Sequence, residues 1–156
     1  LNDDLKYGSY FAPRAFEMEQ MFPLVAGLPR QDDRYMTKPY RYAYTGCPDP
    51  DDPIRWKSTC YARMDMQTRS YRLWKAPGAV SLAEPVFAPK SPTSREGEGF
   101  LMGVAWHLTE NLRSDLLIFD AEHVDEGPIA TVGLPVQASP QIHGWWVRED
   151  QYPSEP

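Results

Sequence analysis

Three histidines, His107, His123 and His143, are the side chains of this chain best suited to hold a transition metal, with Cys47 and Cys60 the only thiols. No two histidines stand at the His-x-x-x-His interval that one helix face requires, and none lies beside a cysteine pair, so spacing alone spells no metal motif. His123 lies in a charged turn between Glu122 and Asp125, where solvation or a local ion pair accounts for it. His107 follows the apolar run ending at Trp106 and precedes Leu108-Thr109-Glu110-Asn111, which marks a strand end at the surface. Neither reads as a ligand.

His143 has a different setting. Ile142 leads into it, Gly144-Trp145-Trp146-Val147 follows, and no flanking charge appears until Arg148. Apolar neighbours shield an imidazole and penalise its charged form, which leaves the neutral state that a metal requires, and Gly144 permits close approach of a backbone or a second ligand. Taken alone, these residues fit a packed histidine bonded to a backbone carbonyl better than they fit a ligand.

The elements that must position these groups are short. Sixteen prolines and ten glycines are scattered between apolar runs, which leaves no room for long helices, and 42% hydrophobic content is enough for a core. Pro39 to Thr45 alternates as a strand closed by Gly46, and the acidic, proline-rich loop from Cys47 to Pro53 ends it. Thr59 to Met66, the turn Gln67-Thr68-Arg69 and Ser70 to Lys75 predict a hairpin, followed by a Pro77-Gly78 break. Glu84 to Ala88 predicts a short strand. Gly99 to Trp106 is a continuous apolar run of buried-strand type, and Ser114 to Asp120 is its antiparallel partner. Ala121 to Gly127 fits a helical turn or tight loop, and Ile129 to Leu134 and His143 to Val147 complete the set. Residues 1–37 show no sustained period. The expectation is an all-β antiparallel meander, in a sandwich, a barrel or propeller blades.

The formal net charge of −6, without any basic run, argues against a nucleic-acid partner, because phosphate binding needs clustered cations. No apolar stretch approaches the roughly twenty residues of a membrane span. With two cysteines and no secretory sequence at its start, the chain is expected to be cytoplasmic and reduced, its thiols unpaired. No Gly-x-Ser-x-Gly elbow or Walker loop suggests hydrolase or phosphoryl chemistry. The first residue is Leu1 rather than Met, which fits a piece of a longer product.

Five blocks, in order and spacing, resemble the end of the carotenoid cleavage oxygenases: Ala83-Glu84-Pro85-Val86-Phe87-Ala88-Pro89, Gly99-Phe100-Leu101-Met102, Ser114 to Ala121, Gly127 to Pro135, and His143-Gly144-Trp145-Trp146-Val147. Upstream, Leu28 to Tyr35 and Lys38 to Tyr44 are similar to a further block, so the likeness spans roughly residues 28–147. Within that family it is nearest the lignostilbene- and resveratrol-cleaving branch.

The resemblance implies a seven-bladed β-propeller holding Fe(II) on four histidines, three of them backed by glutamates, beneath loops that form an apolar tunnel. It makes residues 1–156 the C-terminal part of one such domain, with the preceding blades absent from this chain. His143 then matches the last iron ligand and Glu84 the carboxylate behind it, in place of a solvated strand-end acid. A ligating imidazole donates its other N–H to such a carboxylate, which fixes the tautomer. The implied partners are O2, an apolar conjugated substrate, and the remaining part of the same propeller. The implied reaction cleaves a carbon–carbon double bond of a stilbene or carotenoid to two carbonyls, with this chain alone inactive. Two departures stand out. The glutamate that the family places before the Pro-Arg block is here Gly27, with Glu17 and Glu19 as possible substitutes, and three of the four histidine ligands have no match. A metal-free propeller fragment, serving as a binding or structural module, is the alternative.

Overall fold

The computed structural model describes residues 19–52, 57–109 and 113–151, the side chain of Asp150 excepted. Among them the chain forms nine strands in two antiparallel sheets. The first sheet contains β1 (Gly27–Gln31), β2 (Tyr42–Cys47), β3 (Cys60–Asp65) and β4 (Ser70–Lys75), paired in chain order. The second contains β5 (Val80–Leu82), β6 (Val86–Pro89), β7 (Gly99–His107), β8 (Ser114–Asp120) and β9 (Ala130–Gly133), with β5 and β6 both paired to β7. No helix among the described residues is long and apolar enough to cross a membrane.

The β3–β4 hairpin forms where its strand, polar turn, strand pattern predicts. Asp65 closes it by accepting hydrogen bonds from the Gln67 and Thr68 backbone N–H groups, and Arg69 takes the left-handed conformation (φ 54°) that reverses the chain. Arg41 binds both oxygens of Asp65, and this guanidinium holds the Asp65 carboxyl well below the usual carboxylate range. At the other end of the hairpin Gly78, at φ 77°, makes the expected break before β5.

Four expectations need adjustment. β2 starts at Tyr42 rather than Pro39 and continues through Gly46 to Cys47, because Gly46 and Cys47 pair with Tyr61 and Cys60. β7 is buried on one face only: Leu101, Gly103 and Ala105 point to the first sheet while Phe100 is exposed, so an unbroken apolar run here still alternates. The predicted strand Glu84–Ala88 begins at Val86, and β1 and β5 are strands whose short sequences did not announce them. His143 to Val147 is not a strand; it crosses the second sheet as an irregular segment. The predicted helical turn is a single 3-10 turn over Val124–Glu126.

The two sheets join through an aromatic core. Tyr44 stacks on Phe87 at 5.3 Å, and Phe119 meets Tyr61 and Trp74 edge-on at 5.6 and 5.0 Å. Burying each such ring contributes about 1.5–3 kcal/mol. Tyr61 reaches over Gly103, where a Cβ would fall 2.0 Å from its hydroxyl. Its hydroxyl donates to the Ala83 carbonyl at 2.9 Å, so a buried phenol of the first sheet fixes the residue next to Glu84. Cys47 and Cys60 face each other across β2 and β3 as buried free thiols; Cys47 Sγ–H donates to the Cys60 carbonyl, and the neighbouring Cys60 side chain, with burial, pushes the Cys47 thiol up.

Candidate metal centre

Glu84 stands in a gap in an edge strand. From Leu82 to Val86 the chain takes four steps while its partner takes three, from Ala105 to Met102, so one residue is extra. Pro85, which is fully buried and has no N–H for the ladder, occupies that bulge. The Glu84 side chain consequently turns out of the sheet into the gap between β1 and β6. It is only 4% exposed, which sets aside the solvated-acid interpretation.

A second bulge lies opposite. Between Gly27 and Arg30 strand β1 takes three steps against two from Gly46 to Tyr44, and Leu28 sits at φ 52°. A branched side chain rarely adopts that backbone, and here it accompanies the extra residue that re-aims the following side chains. Arg30 emerges toward the second sheet with its Nη2 3.2 Å from Glu84 Oε2.

The segment after β9 brings His143 to these two groups. Leu134 N–H donates to the Ser114 carbonyl, Ala138 N–H to Ser114 Oγ, and Trp106 Nε1–H to the Ala138 carbonyl, so the chain is tied to the sheet as it returns. His143 Nδ1 then lies 3.3 and 3.4 Å from the two Glu84 oxygens, and Gly144 N–H donates to Glu84 Oε2 at 3.2 Å. Gly144 packs against Val86, where a Cβ would approach Cγ2 to 2.9 Å.

The pairing of His143 with Glu84 matches the geometry a ligating histidine needs. Glu84, an acceptor when ionised, accepts the hydrogen bond that Nδ1–H donates, which leaves Nε2 with its lone pair and no partner among the described residues. The imidazole is 68% exposed, so it is neither shielded nor bonded to a backbone carbonyl; its apolar neighbours are themselves uncovered. Ile142, Trp145 and Trp146 line, with Val86 and Met102, an open cavity of 300 Å³ against which the imidazole stands.

The other candidates are elsewhere. His107, at the end of β7, is hydrogen-bonded through Nε2 to the buried Asp115 at 2.7 Å, and Arg113 forms an ion pair with the same carboxylate. His123 pairs with Asp120 at 3.1 Å, and this carboxylate raises its pKa, in accord with a local ion pair. Among the described residues no group of three or more His, Cys, Asp or Glu side chains could enclose a metal. Gly27 is in β1 opposite Gly46; Glu19 is exposed and pairs with Arg69, so it does not back a histidine here, and Glu17 lies outside the described residues. Arg30 lies in the Pro-Arg block of the family resemblance, but the roles of Arg30 and Tyr61 carried no signal in the sequence, because each acts on a residue far along the chain.

The family model for the retinal pigment epithelial membrane protein RPE65 matches residues 11–148. Isoeugenol monooxygenase of Pseudomonas nitroreducens is 36% identical over 129 residues, 78% of this chain and 27% of that protein. Lignostilbene-α,β-dioxygenase isozyme III of Sphingomonas paucimobilis is 28% identical over 145 residues, 88% and 29%. The crystal structure of lignostilbene dioxygenase from Pseudomonas brassicacearum superimposes with a TM-score of 0.73 at 26% identity, covering 81% of this chain and 28% of that one. The two sheets are therefore antiparallel blades of that propeller fold, and the chain spans little more than a quarter of the relatives it matches.

Proposed function

Because the chain belongs to the RPE65 family of carotenoid oxygenases, we propose that it is the C-terminal part of a non-haem Fe(II) dioxygenase that cleaves a conjugated carbon–carbon double bond. The observation that carries this is His143, held through Nδ1 by a buried carboxylate with Nε2 open. His143 is one ligand; the three others come from blades outside this chain. Iron supplies the redox chemistry through which dioxygen reacts with a closed-shell alkene.

The residues of this chain orient and surround that centre. Glu84 fixes the His143 tautomer and raises the basicity of Nε2. Val86, Met102, Ile142, Trp145 and Trp146 give the adjoining cavity an apolar wall, suited to a flat conjugated molecule and to the exclusion of water. The overall conversion balances as R–CH=CH–R′ plus O2 giving R–CHO and R′–CHO. The higher identity to isoeugenol monooxygenase, 36%, than to a carotenoid cleavage oxygenase of Mycobacterium tuberculosis, 30%, favours an aryl alkene over a long polyene as substrate.

The test is the complete polypeptide, reconstituted with Fe(II) and incubated aerobically with isoeugenol, a hydroxystilbene and an apocarotenoid. Aldehyde products from an aryl alkene, lost in His143→Ala, are the expected result. An iron-free protein without products from any of the three would make these blades a binding or structural module instead. The 156-residue chain by itself is expected to yield no product.

A further inference from the structure

Resting on the proposed function, we infer that Arg30 is a positioning residue of the iron centre, which holds both the buried Glu84 carboxylate and the Gly144 backbone that follows His143. Three contacts converge on its guanidinium. Nη2 is 3.2 Å from Glu84 Oε2, the same nitrogen donates to the Gly144 carbonyl, and the plane lies over the Trp145 ring at 5.1 Å. One side chain of the first sheet thereby grips the carboxylate, the residue after His143 and the residue after that.

The physical need for it follows from charge. A histidine that ligates a metal is neutral on its own account, so its Nδ1–H offers Glu84 a hydrogen bond but no counter-charge. A carboxylate that is 4% exposed is costly without one. Arg30 is the only cationic side chain in ion-pair contact with Glu84 among the described residues. Nη2 meets Glu84 and the Gly144 carbonyl while the guanidinium plane stacks on Trp145, a stacking that a compact ammonium on a flexible stem does not reproduce. The bulge in β1, with Leu28 in the left-handed region, is the backbone feature that aims Arg30 across the sheet boundary.

Arg30→Gln and Arg30→Lys test this in the complete polypeptide, with Co(II) in place of iron so that visible d–d bands report the geometry of the ligand set. Affinity is measured by chelator competition, and thermal melting is followed in parallel. Arg30→Gln is expected to weaken Co(II) binding by about tenfold or more and to shift the d–d bands, while Arg30→Lys falls between it and wild type. Wild-type affinity and bands in Arg30→Gln, whether or not its melting temperature falls, would overturn the inference. If Arg30→Gln does not fold, Arg30→Lys decides alone: weaker binding with altered bands supports positioning, and unchanged bands refute it. A wild-type protein that takes up no metal would overturn the proposed function itself, an outcome separate from either variant result.

Discussion

The aromatic core between the sheets and the cluster around His143 are built from the same two blades, yet they are finished to different degrees. Tyr44, Tyr61, Leu101 and Phe119 are fully buried by residues of this chain. Ile142, Trp145, Trp146 and Val147 are exposed, and His143 shows its Nε2 side outward. The core is a closed piece of packing; the cluster around the proposed ligand is open on one side. The difference teaches that the carboxylate, guanidinium and bulges that hold His143 are supplied within these two sheets, whereas the proposed partners of Nε2 are not.

That contrast can be broken from the core side first. Phe119→Ala removes the ring that meets both Tyr61 and Trp74, and the complete polypeptide should lose about 3–5 kcal/mol, seen as a large fall in melting temperature. Any metal it still binds should be bound with unchanged d–d bands; altered bands would show that core and cluster are not separable. Glu84→Gln acts on the other region. It removes the charge behind His143 while keeping the shape, and metal affinity should fall by about 10–100-fold, measured by chelator competition.

Tyr61→Phe probes the link between the regions. It leaves the Ala83 carbonyl without its donor at a cost of about 1–3 kcal/mol, and the displaced Ala83-Glu84 step should lower metal affinity modestly as well. A variant that loses stability with no change in metal binding would confine Tyr61 to the core. The smallest effect expected is at the hairpin end of the first sheet. Asp65, whose pKa is depressed by Arg41, contributes stability that is present above the unfolded value of about 3.9 and is lost as pH falls through the lower folded value. The melting-temperature gap between wild type and Asp65→Asn should therefore be widest near neutrality and close in acid. A gap that is constant with pH would contradict the ion pair.

Most strands were legible because their signals are local. The β3–β4 hairpin declares itself through a polar turn between β-favouring runs, and β7 with β8 through length and apolar content. β1 and β5 were not legible: each is short, and each is secured by pairing with a strand that the sequence does not mark as its partner. His143 and Glu84 were found only through block resemblance, since a histidine before Gly-Trp-Trp and a glutamate before Pro-Val-Phe have no spacing that implies contact. The shielding expected for His143 failed for a physical reason, in that apolar neighbours shield an imidazole only when something covers them. The role of Arg30 stayed hidden because its partners, Glu84 and Gly144, are far along the chain and its aim depends on a bulge.

His143 is the single iron ligand proposed for this chain, in a site completed by other blades. Iron counted per polypeptide after anaerobic Fe(II) loading and desalting tests it most directly, in the complete protein as wild type and as His143→Ala. The account predicts one iron per wild-type polypeptide and its loss in the variant with the fold retained by thermal melting; one iron still held by a folded His143→Ala protein would contradict it.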